Sequence, residues 1–195
     1  RSKSMVRLIV EEVPPLYLCC DTLLTAQDIA SASRFQNERR RNEHLAWRRI
    51  VRRELGREVV IDYDDTGAPC VDTPNIYISI AHCPERVAVA IAEERIGVDI
   101  ESRERNFLAA ASRFMSKEER ALCHDEDWAA MVWCTKEACY KYHGKRGIDL
   151  LDDIRIEYYN PTTRRIGVRF EDSSSVEVEI SLHDEKYIVA HTIAK

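Results

Sequence analysis

The feature that most limits how this chain folds is a repeat hidden inside it. Ala32-Ser33-Arg34-Phe35 recurs letter for letter as Ala111-Ser112-Arg113-Phe114. Each copy precedes a charged stretch with helical character, and then a longer helix containing tryptophan. Further on, Ser79-Ile80-Ala81-His82-Cys83-Pro84-Glu85-Arg86-Val87-Ala88-Val89-Ala90 is echoed by Ile180-Ser181-Leu182-His183-Asp184-Glu185-Lys186-Tyr187-Ile188-Val189-Ala190, one residue shorter in the turn. Both echoes alternate or run apolar on either side of a short polar turn, which is the pattern of a β-hairpin. Leading strands also correspond, Leu16 to Cys20 and Ile96 to Ile100. A four-letter identity arises easily by chance. Identity with a matching order of elements points to duplication. The expected fold is therefore α+β: two similar modules, 1–95 and 96–195, each with helices and a small, mostly antiparallel sheet. A pseudo-two-fold axis would relate them, with a cleft at the join. The seam near Glu93 to Arg95 has no Pro/Gly/Ser linker, so tight packing is expected.

Composition narrows the function. The net charge of -5 gives no global attraction to nucleic acid or anionic lipid. One stretch is basic: Arg39-Arg40-Arg41, Arg48-Arg49 and Arg52-Arg53 lie on a helix whose apolar positions are Leu45, Ile50, Val51 and Leu55. Most of these arginines are expected to be solvated, with a few available to phosphate. Binding nucleic acid would need a wider basic surface and stacking aromatics, and only 8% of residues are aromatic. Seven cysteines without Cys-x-x-Cys spacing suggest free thiols in a reducing cytoplasm rather than a zinc site. The start holds no long apolar run, so neither a signal peptide nor a membrane span is expected.

Acidic residues supply the first chemistry. Along Ile96-Gly97-Val98-Asp99-Ile100-Glu101, Val98 and Ile100 face one side while Asp99 and Glu101 face the other. Two carboxylates about 7 Å apart along one strand face suit a hard, oxygen-seeking cation. They equally suit an exposed strand face. From about Asp127 to Tyr142 the apolar stripe Trp128, Met131, Val132, Cys139, Tyr142 has helical period. A neighbouring face carries Trp133, Glu137, Tyr140 and Lys141, with Lys136 off to its rim. Glu137 and Lys141 project together, either as a surface ion pair or as a third metal oxygen beside a phosphate contact. On the repeat offset, Cys20 and Thr22 match Asp99 and Glu101, so a single acidic site is expected. His82, at the mouth of the first hairpin, reads as a turn residue or a ligand contact. Thr66-Gly67-Ala68-Pro69 reads as a turn in which glycine permits close approach of a ligand.

Gly97-Val98-Asp99-Ile100-Glu101 followed by Trp133-Cys134-Thr135-Lys136-Glu137-Ala138-Cys139-Tyr140-Lys141 resembles the paired signature of 4'-phosphopantetheinyl transferases. Arg113-Phe114 between them, and Tyr77-Ile78-Ser79-Ile80-Ala81-His82 and Gly67-Ala68-Pro69 upstream, resemble it too. Length points to the larger surfactin-synthetase type, a pseudo-dimer in one chain and so a monomer. The resemblance implies transfer of phosphopantetheine from coenzyme A to a serine of an apo carrier protein of acyl, peptidyl or polyketide type. Asp99, Glu101 and Glu137 would hold magnesium or manganese. Glu137 and Lys141 would be catalytic, Glu137 by taking the serine proton. Coenzyme A would meet Arg48, Gly67, Ala68, Pro69, Ala81, His82, Lys136 and Lys141, with Arg48 and His82 near its 3'-phosphate. The chain departs from the family at Ala81 and Cys134, where serine is frequent, and at Ala68, where lysine is usual. Two other readings are compatible with the residues: a magnesium-dependent phosphohydrolase, and a non-catalytic coenzyme A or carrier-binding module.

Overall fold

A computed structural model of the chain describes residues 6–14 and 21–193. In chain order the elements are β1 (Arg7–Glu12), α1 (Ala26–Ala32), α2 (Glu38–Leu55), β2 (Ile61–Tyr63), β3 (Pro69–Val71), β4 (Tyr77–Cys83), β5 (Arg86–Ala92) and β6 (Val98–Ser102). A 3-10 turn (Leu108–Arg113) precedes α3 (Lys117–Arg120), α4 (Trp128–His143), β7 (Ile154–Asn160), β8 (Arg165–Phe170), β9 (Ser175–His183) and β10 (Tyr187–Ile193). The fold is α+β, as expected. Antiparallel pairing builds one sheet in the order β1-β5-β4, a second in the order β6-β10-β9-β8-β7, and the small pair β2-β3.

Strand alternation assigns the layers. Val87, Val89 and Ile91 of β5 pack with Trp47, Ile50 and Val51 of α2. The intervening Ala88, Ala90 and Ala92 turn the other way, toward Val98 and Ile100 of β6 and Val189 of β10. On β10, Ile188 and Ala190 join Val132, Cys134 and Ala138 of α4 in the largest core cluster. The small alanines of β5 thus belong to a core shared by both sheets. Each fully buried valine or isoleucine there contributes roughly 1.5–3 kcal/mol of transfer free energy. Because Val98 and Ile100 take the shared core, period two sends Asp99 to the opposite face, beneath α4.

Several expectations change in detail. The proposed leading strand Leu16–Cys20 lies outside the described residues; the strand that pairs with the first hairpin is β1. The second hairpin has the longer turn, three residues between His183 and Tyr187 against two between Cys83 and Arg86. Asp184 and Glu185 both take positive φ, of 52° and 53°, to close it. The charged stretch and the tryptophan helix form one helix after Phe35 but two after Phe114. Asp125 Oδ1 accepts the Asp127 N–H at 2.8 Å, a local turn that competes with helix between α3 and α4. Not all the α2 arginines are solvated. Arg48 and Arg52 are each 2% exposed and converge on Asp28 of α1, at 3.0 Å and 2.6 Å. Burial would raise the Asp28 carboxyl, but hydrogen bonds from Arg52, the Thr25 backbone and Arg48 outweigh it and lower it to about 2. No described helix is long and apolar enough to cross a membrane.

Candidate active site

Helix α4 lies across β6 with its backbone close enough to touch it. Gly97 permits this approach, because a side chain there would collide with the α4 backbone at Ala138 and Tyr142. Positions 133, 137 and 141 are one helical turn apart and stand over the strand in a row. Trp133 Nε1 donates to Glu101 Oε1 at 2.9 Å, at one end of the row. At the other end Lys141 Nζ donates to the carbonyls of Val98 (2.9 Å) and Ile80 (3.1 Å) and lies 3.4 Å from Asp99 Oδ1. Lys141 therefore ties β4 to β6. Glu137 falls between, and among the described residues it has no cation within ion-pair distance.

The electrostatics are those of crowded carboxylates. Burial, followed by the neighbouring Glu101 and Glu137, raises the Asp99 carboxyl to about 7 against the pull of Lys141. Burial also raises Glu137, opposed by Lys141 and Arg105 and reinforced by Glu101. Asp99 Oδ2 is buried with no hydrogen-bond partner. A buried oxygen of that kind is costly unless something positive meets it. An all-oxygen set with an orphaned buried carboxylate oxygen fits a hard divalent cation such as magnesium. Glu101 is held by Trp133 and by Arg105 at 3.2 Å, and Asp99 by Lys141. Among the described residues, a His/acid trio with donors all within 4.8 Å of one another occurs instead at His143, Glu171 and Asp172.

Beside this row opens a cavity of about 450 Å³. Thr66 to Pro69 and Ile78 to Ile80 form one wall; Tyr140, Lys141, Gly144, Lys145 and Arg146 form the other. Gly67, at φ 84°, makes the turn that only glycine adopts comfortably. A second cavity of about 350 Å³ adjoins it, sharing Gly67, Pro69 and Ile80 and lined by Phe35, Arg40, His44, Trp47, Tyr63 and His82. His44 is held neutral, pushed down to about 4 by burial and by Arg48, and meets Ser31 Oγ at 2.8 Å. The His82 side chain is half exposed, with Nδ1 3.1 Å from Glu43 Oε2.

The structure thus gathers Gly67, Ala68, Pro69 and Lys141 on one cavity, with His82 on its neighbour, and sets Asp99, Glu101 and Glu137 alongside. Three expected coenzyme contacts lie elsewhere. Lys136 is fully buried on the opposite side of α4, 2.9 Å from Glu119, because position 136 is rotated away from the 133-137-141 row. Ala81 is 3% exposed in the core shared by the sheets. Arg48 is buried behind the second cavity, where it donates to Tyr63 Oη at 3.1 Å and lies over the Trp47 ring at 5.2 Å. Sequence reasoning missed His44 and Tyr63, which line the second cavity from α2 and β2 beside Arg40 of the basic stretch, and Arg146, which nothing in its own neighbourhood marks.

No curated protein matches this chain. A family model for the 4'-phosphopantetheinyl transferase superfamily matches residues 95–192, half of the chain, from β6 through α4 and β7 to β9 and into β10. The chain carries the acidic strand and the lysine-bearing helix within that match, and it belongs to the 4'-phosphopantetheinyl transferase superfamily.

Proposed function

We propose that this protein transfers the 4'-phosphopantetheine group from coenzyme A to a serine hydroxyl of an apo carrier protein, with magnesium, releasing adenosine 3',5'-bisphosphate. The observation that carries this reading is the position of Lys141, which lines the larger cavity and also pairs with Asp99. A phosphate in that cavity would stand beside both a fixed cation and the carboxylate row. Asp99, Glu101 and Glu137 would hold the metal, which supplies positive charge against the pyrophosphate when bound. The serine oxygen forms a bond to the phosphorus of the phosphopantetheine arm. The bond from that phosphorus to the bridging oxygen breaks, and its electron pair leaves with the nucleotide. Lys141 stabilises the charge that gathers there. Glu137, raised by burial and without a cation within ion-pair distance among the described residues, takes the serine proton.

The reading includes a single-chain pseudo-dimer, working as a monomer with modules 1–95 and 96–195. Strand pairing supports it: β1 pairs with β5 as β6 pairs with β10. Leu8 opposes Ala90 where Asp99 opposes Ala190, and Val10 opposes Ala88 where Glu101 opposes Ile188. Apolar residues thus occupy the first-half counterparts of the carboxylates, in place of the Cys20 and Thr22 read from the sequence, and one active site follows. The test is intact-protein mass spectrometry of apo acyl, peptidyl and polyketide carriers incubated with coenzyme A and magnesium. A gain of one phosphopantetheinyl group, prevented by chelator, is expected. Release of nucleotide without any carrier gain would instead favour a phosphohydrolase.

A further inference from the structure

We infer that Arg146 is a phosphate contact and specificity-determining residue for the nucleotide donor, an inference that rests on the transferase reading above. The larger cavity is electrically lopsided. Its wall from the first half, Thr66 to Pro69, brings no cation and continues from Asp64 and Asp65. All its positive charge comes from the facing wall, as Lys141, Lys145 and Arg146. Two of these are already met by carboxylates, Lys141 by Asp99 at 3.4 Å and Lys145 by Glu171 at 3.5 Å.

Arg146 differs. Its Nη2 donates to the backbone carbonyl of Asp65 at 2.9 Å, across the cavity. Among the described residues no carboxylate pairs with it. The same Nη2 lies 3.9 Å from where a Cβ on Gly67 would stand, so the guanidinium rests directly over the glycine turn. A carbonyl fixes a guanidinium in place without neutralising it. One N–H of five is spent on orientation, and the others of the planar fork stay available to a bidentate anion. The backbone delivers the side chain there by design of the turn. Gly144 caps α4 at φ 71° and Gly147 follows at φ 80°, so Arg146 sits in a turn bracketed by two left-handed glycines just past the helix. Gly67 belongs to both cavities, which puts Arg146 where they meet and within reach of a donor spanning the two.

Calorimetric titration of coenzyme A with magnesium, without carrier, into wild type, Arg146→Ala and Arg146→Lys tests this. Alanine should weaken binding by about tenfold, and lysine, which keeps the charge but loses the fork, by less. In the transfer assay the loss should fall more on KM for coenzyme A than on kcat. Repeating the titration with 3'-dephospho-coenzyme A separates the sources: an alanine effect that vanishes assigns the 3'-phosphate, and one that persists assigns the pyrophosphate. Equal binding by wild type and Arg146→Ala, both with matching thermal melts, would overturn the inference. Wild type that binds no coenzyme A at all would sink the transferase reading beneath it.

Discussion

Gly97 and Ala138 meet so closely that a Cβ on the glycine would stand 1.9 Å from the alanine carbonyl oxygen. It would also stand 2.8 Å from the Tyr142 nitrogen. Neither is the end of a flexible side chain, so any substituent must move the whole helix. Gly97→Ala should destabilise the protein by about 1–3 kcal/mol, the usual range for overpacking. Transfer should fall much further than that, because shifting α4 moves Glu137 and Lys141 away from β6 together. Urea denaturation alongside the carrier mass assay separates the two effects.

Glu137→Gln keeps the shape and removes the base. If Glu137 takes the serine proton, transfer should drop by about 10²-fold to 10⁴-fold. Stability should hold or rise, since the neutral amide avoids the cost of burying a charge, the main cause that raises this carboxyl. Thermal melting measured beside the rate checks both halves. An unchanged rate would remove Glu137 from the chemistry.

Asp99 makes stability depend on pH in an unusual direction. Its carboxyl ionises near 3.8 ordinarily and near 7 in the fold. Between those values the unfolded chain has lost a proton that the folded protein keeps, so stability falls as pH rises through the window. The penalty is complete above about 7. Asp99→Asn should therefore raise the melting temperature at about pH 8 and flatten the slope between pH ~4 and ~7. Magnesium should raise the wild-type melting temperature at about pH 8 and leave Asp99→Asn nearly unmoved. Removal with a chelator should reverse the wild-type gain.

Asp28 acts with the opposite sign. Two arginines and the Thr25 backbone lower it to about 2, so its stabilisation is present above its ordinary 3.8 and lost as pH falls toward 2. Asp28→Asn leaves Arg48 and Arg52 buried without their shared anion. A cost of about 3–5 kcal/mol is expected by urea denaturation at neutral pH.

Much of the site was legible because its signals are local. Alternation along β6 puts Asp99 on the face opposite Val98, whatever lies around it. The helical period puts Glu137 and Lys141 on one face of α4 in the same way, and the cap glycine Gly144 ends that helix where the pattern stops. The glycine turn at Gly67 and the two hairpins follow equally from φ preference and period two.

Partners far apart in the chain decided the rest. Arg48 has the composition of a surface arginine, and only Asp28 on another helix makes its burial affordable. Lys136 sits one residue from Glu137, yet Glu119 draws it into the core on the far side. Arg146 carries nothing in its own neighbourhood to mark it, and its place over the cavity depends on a carbonyl 81 residues earlier in the chain. Periodicity and backbone preference are properties of a few neighbouring residues, so the sequence by itself determined the elements and the faces their side chains take. Whether a charge is buried, paired or left to meet a ligand depends on what the folded chain brings against it, and that only the tertiary structure decided.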